Sequence, residues 1–133
     1  MAKYVLDSDI VSAILRKDQG AARGLREALT SNHSVVICSV VYYEVKRGLL
    51  YKDARNQLGD FEQFVRNMDW RDVEKPDWEE AAQIWSSRMK RGQRIDDDAD
   101  ILISAVARID GAVVVTRNTR HFSNLGLTVL SWN

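Results

Sequence analysis

Three short uncharged runs decide what this chain can become. They are Tyr4-Val5-Leu6, Val35-Val36-Ile37-Cys38 and Ala112-Val113-Val114-Val115. Each is too short for a helix, and the second and third are dominated by β-branched residues. A strand with no polar face must be covered on both faces, as in a parallel sheet and not in a one-sided hairpin. The segments between the runs carry helical spacing. Strands alternating with helices predict an α/β fold around a short, mostly parallel sheet.

The first helix follows Asp7, capped by Ser8 or Asp9, and runs to about Lys17 with Ile10, Val11, Ile14 and Leu15 on one face. A second is expected over about 21–30. After Cys38, Ser39 caps a helix whose buried face would hold Val40, Val41, Glu44, Val45, Gly48 and Leu49. Residues 53–68 are amphipathic, and 70–73 form a weak strand. Lys75-Pro76-Asp77 opens a helix with proline in its first turn and acids at its positive end. Trp78, Ala81, Ala82, Trp85 and Met89 are its expected inward stripe, and Gly92 ends it. The last helix spans about 97–109, Asp110-Gly111 turns the chain, and 127–130 is expected as a final strand. The whole reads as a single domain, 1–133.

Charge and cysteine usage narrow the function. The 133 residues carry 19 Lys+Arg and 19 Asp+Glu, which argues against holding nucleic acid by bulk positive charge. Separate acidic and basic patches remain compatible with that balance. Cys38 is the single cysteine, so neither an intrachain disulfide nor a Cys-based zinc site can form. A lone thiol suits a reducing cytosol, and neither a signal-peptide core nor a membrane-length apolar run is present. A cytoplasmic protein without membrane contact is the expectation.

In an open parallel sheet, ligands bind beyond the carboxyl ends of the strands. Asp7 follows the first strand and Glu44 lies early in the helix after the second. Thr116, Arg117 and Asn118 follow the Val113–Val115 run, and Asp96, Asp97, Asp98 and Asp100 open the helix before it. Four distant segments thus bring acidic or amide oxygens to one edge. Oxygen donors without Cys or paired His favour a hard cation such as Mg2+ or Mn2+. The reaction this set suits best is metal-dependent cleavage of a phosphodiester. Each residue also has a structural reading: Asp7 as a helix cap, Glu44 as half of a buried pair with Arg47, Asn118 as a turn residue. Asp96 and Asp97 are read as a solvated helix start, His33 and His121 as surface groups with a minor substrate role open to His121, and the four tryptophans as core.

The ordered motifs Val5-Leu6-Asp7-Ser8-Asp9-Ile10-Val11-Ser12, Ser39-Val40-Val41-Tyr42-Tyr43-Glu44-Val45-Lys46-Arg47-Gly48, Asp100-Ile101-Leu102-Ile103-Ser104-Ala105 and Val115-Thr116-Arg117-Asn118-Thr119-Arg120-His121-Phe122 resemble the PIN-domain ribonucleases. The likeness is to the VapC-type toxins of prokaryotic toxin–antitoxin pairs and covers essentially the whole chain. It implies a three-layer α/β/α sandwich. It implies Asp7, Glu44 and Asp100 as the acids that bind Mg2+ or Mn2+, Asn118 at the fourth, variable catalytic position, and Thr116 as a supporting hydroxyl. It also implies hydrolysis of RNA, possibly transfer RNA. The implied partners are a VapB-type antitoxin that covers the acidic pocket, a second toxin copy in a homodimer, and a toxin–antitoxin hetero-oligomer that represses its own operon.

Two details depart from the family pattern. Asp9 stands where the family usually has Asn, and the interval from Ile95 to Asp100 is one residue longer than expected, leaving Asp98 as a rival or co-ligand. Substrate phosphates would be met by Arg16, Lys17, Lys46, Arg47, Arg91, Arg94, Arg117 and Arg120, which flank the acids. Two alternatives stay open. Asp7-Ser8-Asp9 imitates the nucleophile and acid of haloacid-dehalogenase-type phosphatases, although no convincing downstream lysine and acid pair follow. The chain could also be a catalytically inactive module that only binds antitoxin or RNA.

Overall fold

The computed structural model describes residues 1–93 and 97–133. Arg94 and Asp96 therefore lie outside the described residues. In chain order the elements are β1 (Lys3–Leu6), α1 (Ser8–Leu15), α2 (Gln19–Thr30), β2 (Ser34–Cys38), α3 (Ser39–Tyr51), α4 (Arg55–Arg66), β3 (Asp69–Arg71), α5 (Lys75–Lys90), α6 (Asp98–Asp110), β4 (Val113–Val115) and β5 (Val129–Leu130). One 3-10 turn, Thr119–Phe122, lies between β4 and β5.

All four strand pairings are parallel, in the order β3-β2-β1-β4-β5. The chain moves outward from β1 to β3, then crosses back over the sheet to β4 on the other side of β1. The strand order reverses between β1 and β4, and that reversal opens a crevice at the carboxyl ends of the two strands. Right-handed crossovers in opposite directions put helices on both faces, giving three α/β/α layers. The uncharged runs occupy the three central strands. Val5, Leu6, Ile37, Val114 and Val115 are fully buried, together with Ile10, Val11, Val41, Phe61, Ile103 and Val106 from the helices. Among the described residues no helix is long and apolar enough to cross a membrane.

The expected stripe of α5 is corrected by the structure. Trp78, Trp85 and Met89 are exposed, and the face turned inward holds Asp77, Ala81 and Ile84. α5 packs against α6 through a small second cluster of Ala81, Ile84, Ile101, Leu102 and Ala105. The contact is built from alanines and medium-sized aliphatics, and the bulky rings of α5 stay at its rim. Trp70, on the edge strand β3, is exposed as well, so of the four tryptophans only Trp132 is buried.

Asp77 is buried because it has a partner. Arg71, at the end of β3, grips it with Nη1 and Nη2 at 2.6 and 2.9 Å and grips Asp110 with Nε and Nη2 at 2.9 and 3.1 Å. Asp77 also accepts from the Glu74 backbone N–H at 2.8 Å, closing a capping box at the start of α5. The guanidinium holds the Asp77 carboxyl below the usual carboxylate range. One cation thus ties a strand end to the start of one helix and the end of another.

The last residues close over α2. Trp132 packs where a Cβ on Gly24 would stand 2.3 Å from its ring. Arg117 donates to the Trp132 carbonyl at 3.0 Å and to Asp18 at 2.6 Å, and Asp18 caps α2 through the Ala21 N–H. Gly24→Ala should therefore overpack this seam and cost about 1–3 kcal/mol. The check is a shift of the urea unfolding midpoint to lower concentration; an unchanged midpoint would show that the indole moves aside without cost.

Candidate active site

Asp7 is the last residue before α1 and caps it, its Oδ1 accepting from the Ser8 N–H at 2.7 Å. The cap is therefore Asp7, its structural reading, and neither Ser8 nor Asp9. Its other oxygen, Oδ2, accepts from the Thr116 hydroxyl at 2.8 Å. That bond spans the crevice between β1 and β4. The structural and functional readings of Asp7 coexist in one side chain.

Asp7 is only 6% exposed. Burial, then the neighbouring charges of Asp9 and Asp100, push its carboxyl up to about 7 against the bonds from Thr116 and Ser8. Burial also raises Glu44, with Asp97 and Asp100 adding to it. Asp100 is raised by burial first, then by Asp97 and Asp9, with His121 working the other way. The acids of three segments therefore oppose one another in one place. Asp9 belongs to the set: its Oδ2 accepts from the Arg117 N–H at 3.0 Å and lies 3.3 Å from the Thr116 hydroxyl, while its buried Oδ1 has no hydrogen-bond partner.

The expected residues divide. Asp7, Glu44 and Asp100 come together. Asn118 is joined to them through its neighbours: its N–H donates to Thr116 Oγ1 at 3.0 Å, and its side chain lies 3.3 Å from His121 Nδ1. Asp98 does not join. Two residues along a helix turn the side chain by about 200°, so Asp98 is exposed and lines an apolar groove with Trp78, Ala81, Ala82, Trp85, Ile101 and Leu102. Asp97, read from sequence as a solvated start, is the N-cap of α6 and stands close enough to raise Glu44 and Asp100. His121 is more than a surface group: its Nδ1 lies 2.7 Å from Asp100 Oδ2. The turn Thr119–Phe122 swings it back to the site, and Phe122, buried beside it, anchors that turn.

The bases also divide. Lys46 is committed to Glu62 and Tyr42, and Arg117 to Asp18 and the Trp132 carbonyl. Arg47 lies over the Tyr43 ring, 5.0 Å from its centroid, with Nη2 4.0 Å from Glu44. Arg16, Lys17, Arg91 and Arg120 are exposed.

The donor set fits a hard divalent ion. All donors are oxygens, the carboxylates raise one another, and a buried carboxylate oxygen of Asp9 is left without a donor. Among the described residues no three Asp, Glu, His or Cys side chains close into a ready-made ligand group. Mg2+ does not require one, because it is usually held by one or two carboxylates and keeps several waters. The phosphatase alternative loses ground here, since the hydrogen-bond partners of Asp7 are Ser8 and Thr116 and include no lysine.

The chain is similar in fold to several solved structures. The VapBC2 complex of Rickettsia felis bound to a promoter DNA fragment contains a chain with a TM-score of 0.87 and 21% identity, covering 98% of this chain and 99% of that one. DNA-bound VapBC from Salmonella typhimurium gives 0.85 and 24%, with full coverage of both chains. The sarcin-ricin loop cleaving toxin VapC20 of Mycobacterium tuberculosis gives 0.68 and 14%, covering 94% of this chain and 96% of that one. No curated protein sequence matches. The PIN domain family model matches residues 4–126, from the start of β1 to the approach of β5, and so spans every segment that contributes to the acidic crevice: the chain belongs to the PIN domain family.

Proposed function

We propose that this PIN domain is a Mg2+- or Mn2+-dependent endoribonuclease, the VapC-type toxin of a type II toxin–antitoxin pair acting in the cytoplasm. The observation that carries the reading is the meeting of Asp7, Asp9, Glu44 and Asp100 at the switch point, where Asp9 and Asp100 raise the proton affinity of Asp7, Asp9 that of Asp100, and Asp100 that of Glu44. Such a set is costly alone and becomes useful beside a cation. Asp7 and Asp100 would hold the ion, with Glu44 completing the shell through water. When bound, the ion shields the phosphodiester and lowers the pKa of a bound water. Thr116 fixes the rotamer of Asp7, and His121 fixes that of Asp100. Asn118 holds Thr116 and His121 in register.

The substrate is RNA, with transfer RNA the leading candidate. Arg16, Arg47 and Arg120 are the bases best suited to meet its phosphates. A VapB-type antitoxin would neutralise the toxin by laying a basic side chain on the same acids, and the toxin would pair as a homodimer within the hetero-oligomer. DNA-bound VapBC and toxin–antitoxin complexes among the structures of the same fold support the antitoxin partner.

Asp100→Asn keeps the shape and the His121 contact but removes one charge. Mg2+-dependent cleavage of RNA is expected to fall on the order of 100-fold or more. Undiminished cleavage by the folded variant would remove Asp100 from the site. A catalytically silent binding module is separated by growth: expression should arrest growth, and Asp7→Ala should relieve the arrest.

A further inference from the structure

A groove of about 200 Å³ leads away from the acids between α1 and α3. Ser8 and Ser12, one turn apart, line it from α1. Glu44, Gly48 and Lys52 line it from α3 and its C-cap at four-residue intervals, with Arg47 beside them. Eight residues of helix advance about 12 Å, so the groove has a catalytic acid at one end and an ammonium group at the other. Its volume is smaller than an ordinary small-molecule site and suits a strand passing along it. Its cations and hydroxyls match phosphate and ribose oxygens. Gly48 adds no side chain to the groove wall. A Cβ there would meet nothing within 4 Å, so no packing contact requires glycine in a helix interior where alanine is favoured.

We propose that this groove is the subsite for the nucleotide flanking the scissile bond, its phosphate held by Arg47 and Lys52 and its ribose side by the Ser8 and Ser12 hydroxyls. The inference rests on the nuclease reading and adds the path of the strand: from the acids, past Glu44, along Gly48, towards Lys52. A strand on this path meets α3 at both ends of the groove. Lys52 acts only by holding RNA and touches no reacting atom.

The test compares Lys52→Ala and Gly48→Leu with the wild type and with Gly59→Leu. Gly59 lies in α4, also with open space around a Cβ and outside the groove. Binding is read by fluorescence anisotropy of fluorescein-labelled bulk transfer RNA in EDTA over a range of salt. Chemistry is read with Mn2+ and bis(4-nitrophenyl) phosphate, which has one diester and no neighbouring phosphate. Lys52→Ala should weaken RNA binding about 5- to 10-fold and lower the salt slope by about 1. Gly48→Leu should weaken RNA binding at least as much. Both should turn over the small diester at the wild-type rate, and Gly59→Leu should change neither reading. Wild-type RNA affinity and salt slope in Lys52→Ala and Gly48→Leu would overturn the subsite, as would a parallel loss of small-diester turnover. A wild type that hydrolyses neither RNA nor the small diester would sink the nuclease reading instead, while the EDTA binding data would still decide the groove.

Discussion

Asp7→Asn is expected to abolish RNA cleavage and to make the protein more stable. The first effect follows from losing the carboxylate that bridges the switch point, and should exceed about 1,000-fold. The second follows from the proton balance of the fold. Asp7 has an ordinary value of 3.8 and is pushed up to about 7 in the folded chain, by burial first and then by Asp9. Between those values the folded state binds more protons than the unfolded state, so stability falls as pH rises from about 4 to 8. Above pH 7 the full penalty is on the order of 4 kcal/mol. Asparagine has no charge to desolvate and can keep the bond from Ser8, though one oxygen facing Thr116 becomes an amide donor. The variant should gain about 2–3 kcal/mol at pH 8 in EDTA, and nothing at pH 3.5. Urea titrations at the two pH values check this. Equal stability of the two proteins at pH 8 would mean that Asp7 carries no electrostatic strain. Added Mn2+ should raise the melting temperature of the wild type and leave that of Asp7→Asn in place.

Arg71→Ala is expected to have the largest effect on folding. Its guanidinium satisfies two carboxylates, of which Asp77 is only 1% exposed. Removing the cation leaves both acids without their counter-charge, and Asp77 with only the Glu74 N–H. Loss of one partner from a buried ion pair costs about 3–5 kcal/mol, enough to lower the melting temperature by roughly 10–20 °C in a domain of this size. The pH dependence has the opposite sign to that of Asp7. The carboxyl of Asp77 is depressed, so its contribution is present at neutral pH and is lost as pH falls through its folded value. The wild-type advantage over Arg71→Ala should therefore shrink in acid. A constant difference down to pH 2 would assign the loss to packing of the arginine stem and not to charge.

The central sheet was legible because Val35–Cys38 and Val113–Val115 have no polar face to offer water, and such strands have few places to go. Asp7, Glu44 and Asp100 were legible because they stand just beyond those strands or on helices that meet there. What stayed hidden depends on contacts between distant segments. His121 reaches Asp100 only because a 3-10 turn, pinned by Phe122, folds back after β4. Asp97 and Asp98 are adjacent in sequence, and only the start of α6 decides which of them faces the acids. Arg71 gave no signal, since its partners lie 6 and 39 residues away on two different helices. The stripe of α5 differs from the expected one because helical periodicity names apolar positions without saying which flank the next helix covers. With alanines at the α5–α6 contact, the ring-bearing flank stays at the rim.

The bond from Thr116 to Asp7 joins residues 109 apart in sequence, and β1 pairs with β2 on one side and β4 on the other. This has a consequence for synthesis. Of the five strands the innermost is made first, and its second neighbour fourth. Contacts so far apart in sequence form late and slowly, and large parts of the chain fold as they emerge. Until residue 116 is free of the exit tunnel, Asp7 has no Thr116 to orient it, and His121 has not arrived to hold Asp100. While the chain grows, the acidic crevice therefore lacks the contacts that orient Asp7 and Asp100, and it assembles only after β4 and the turn that follows it have emerged.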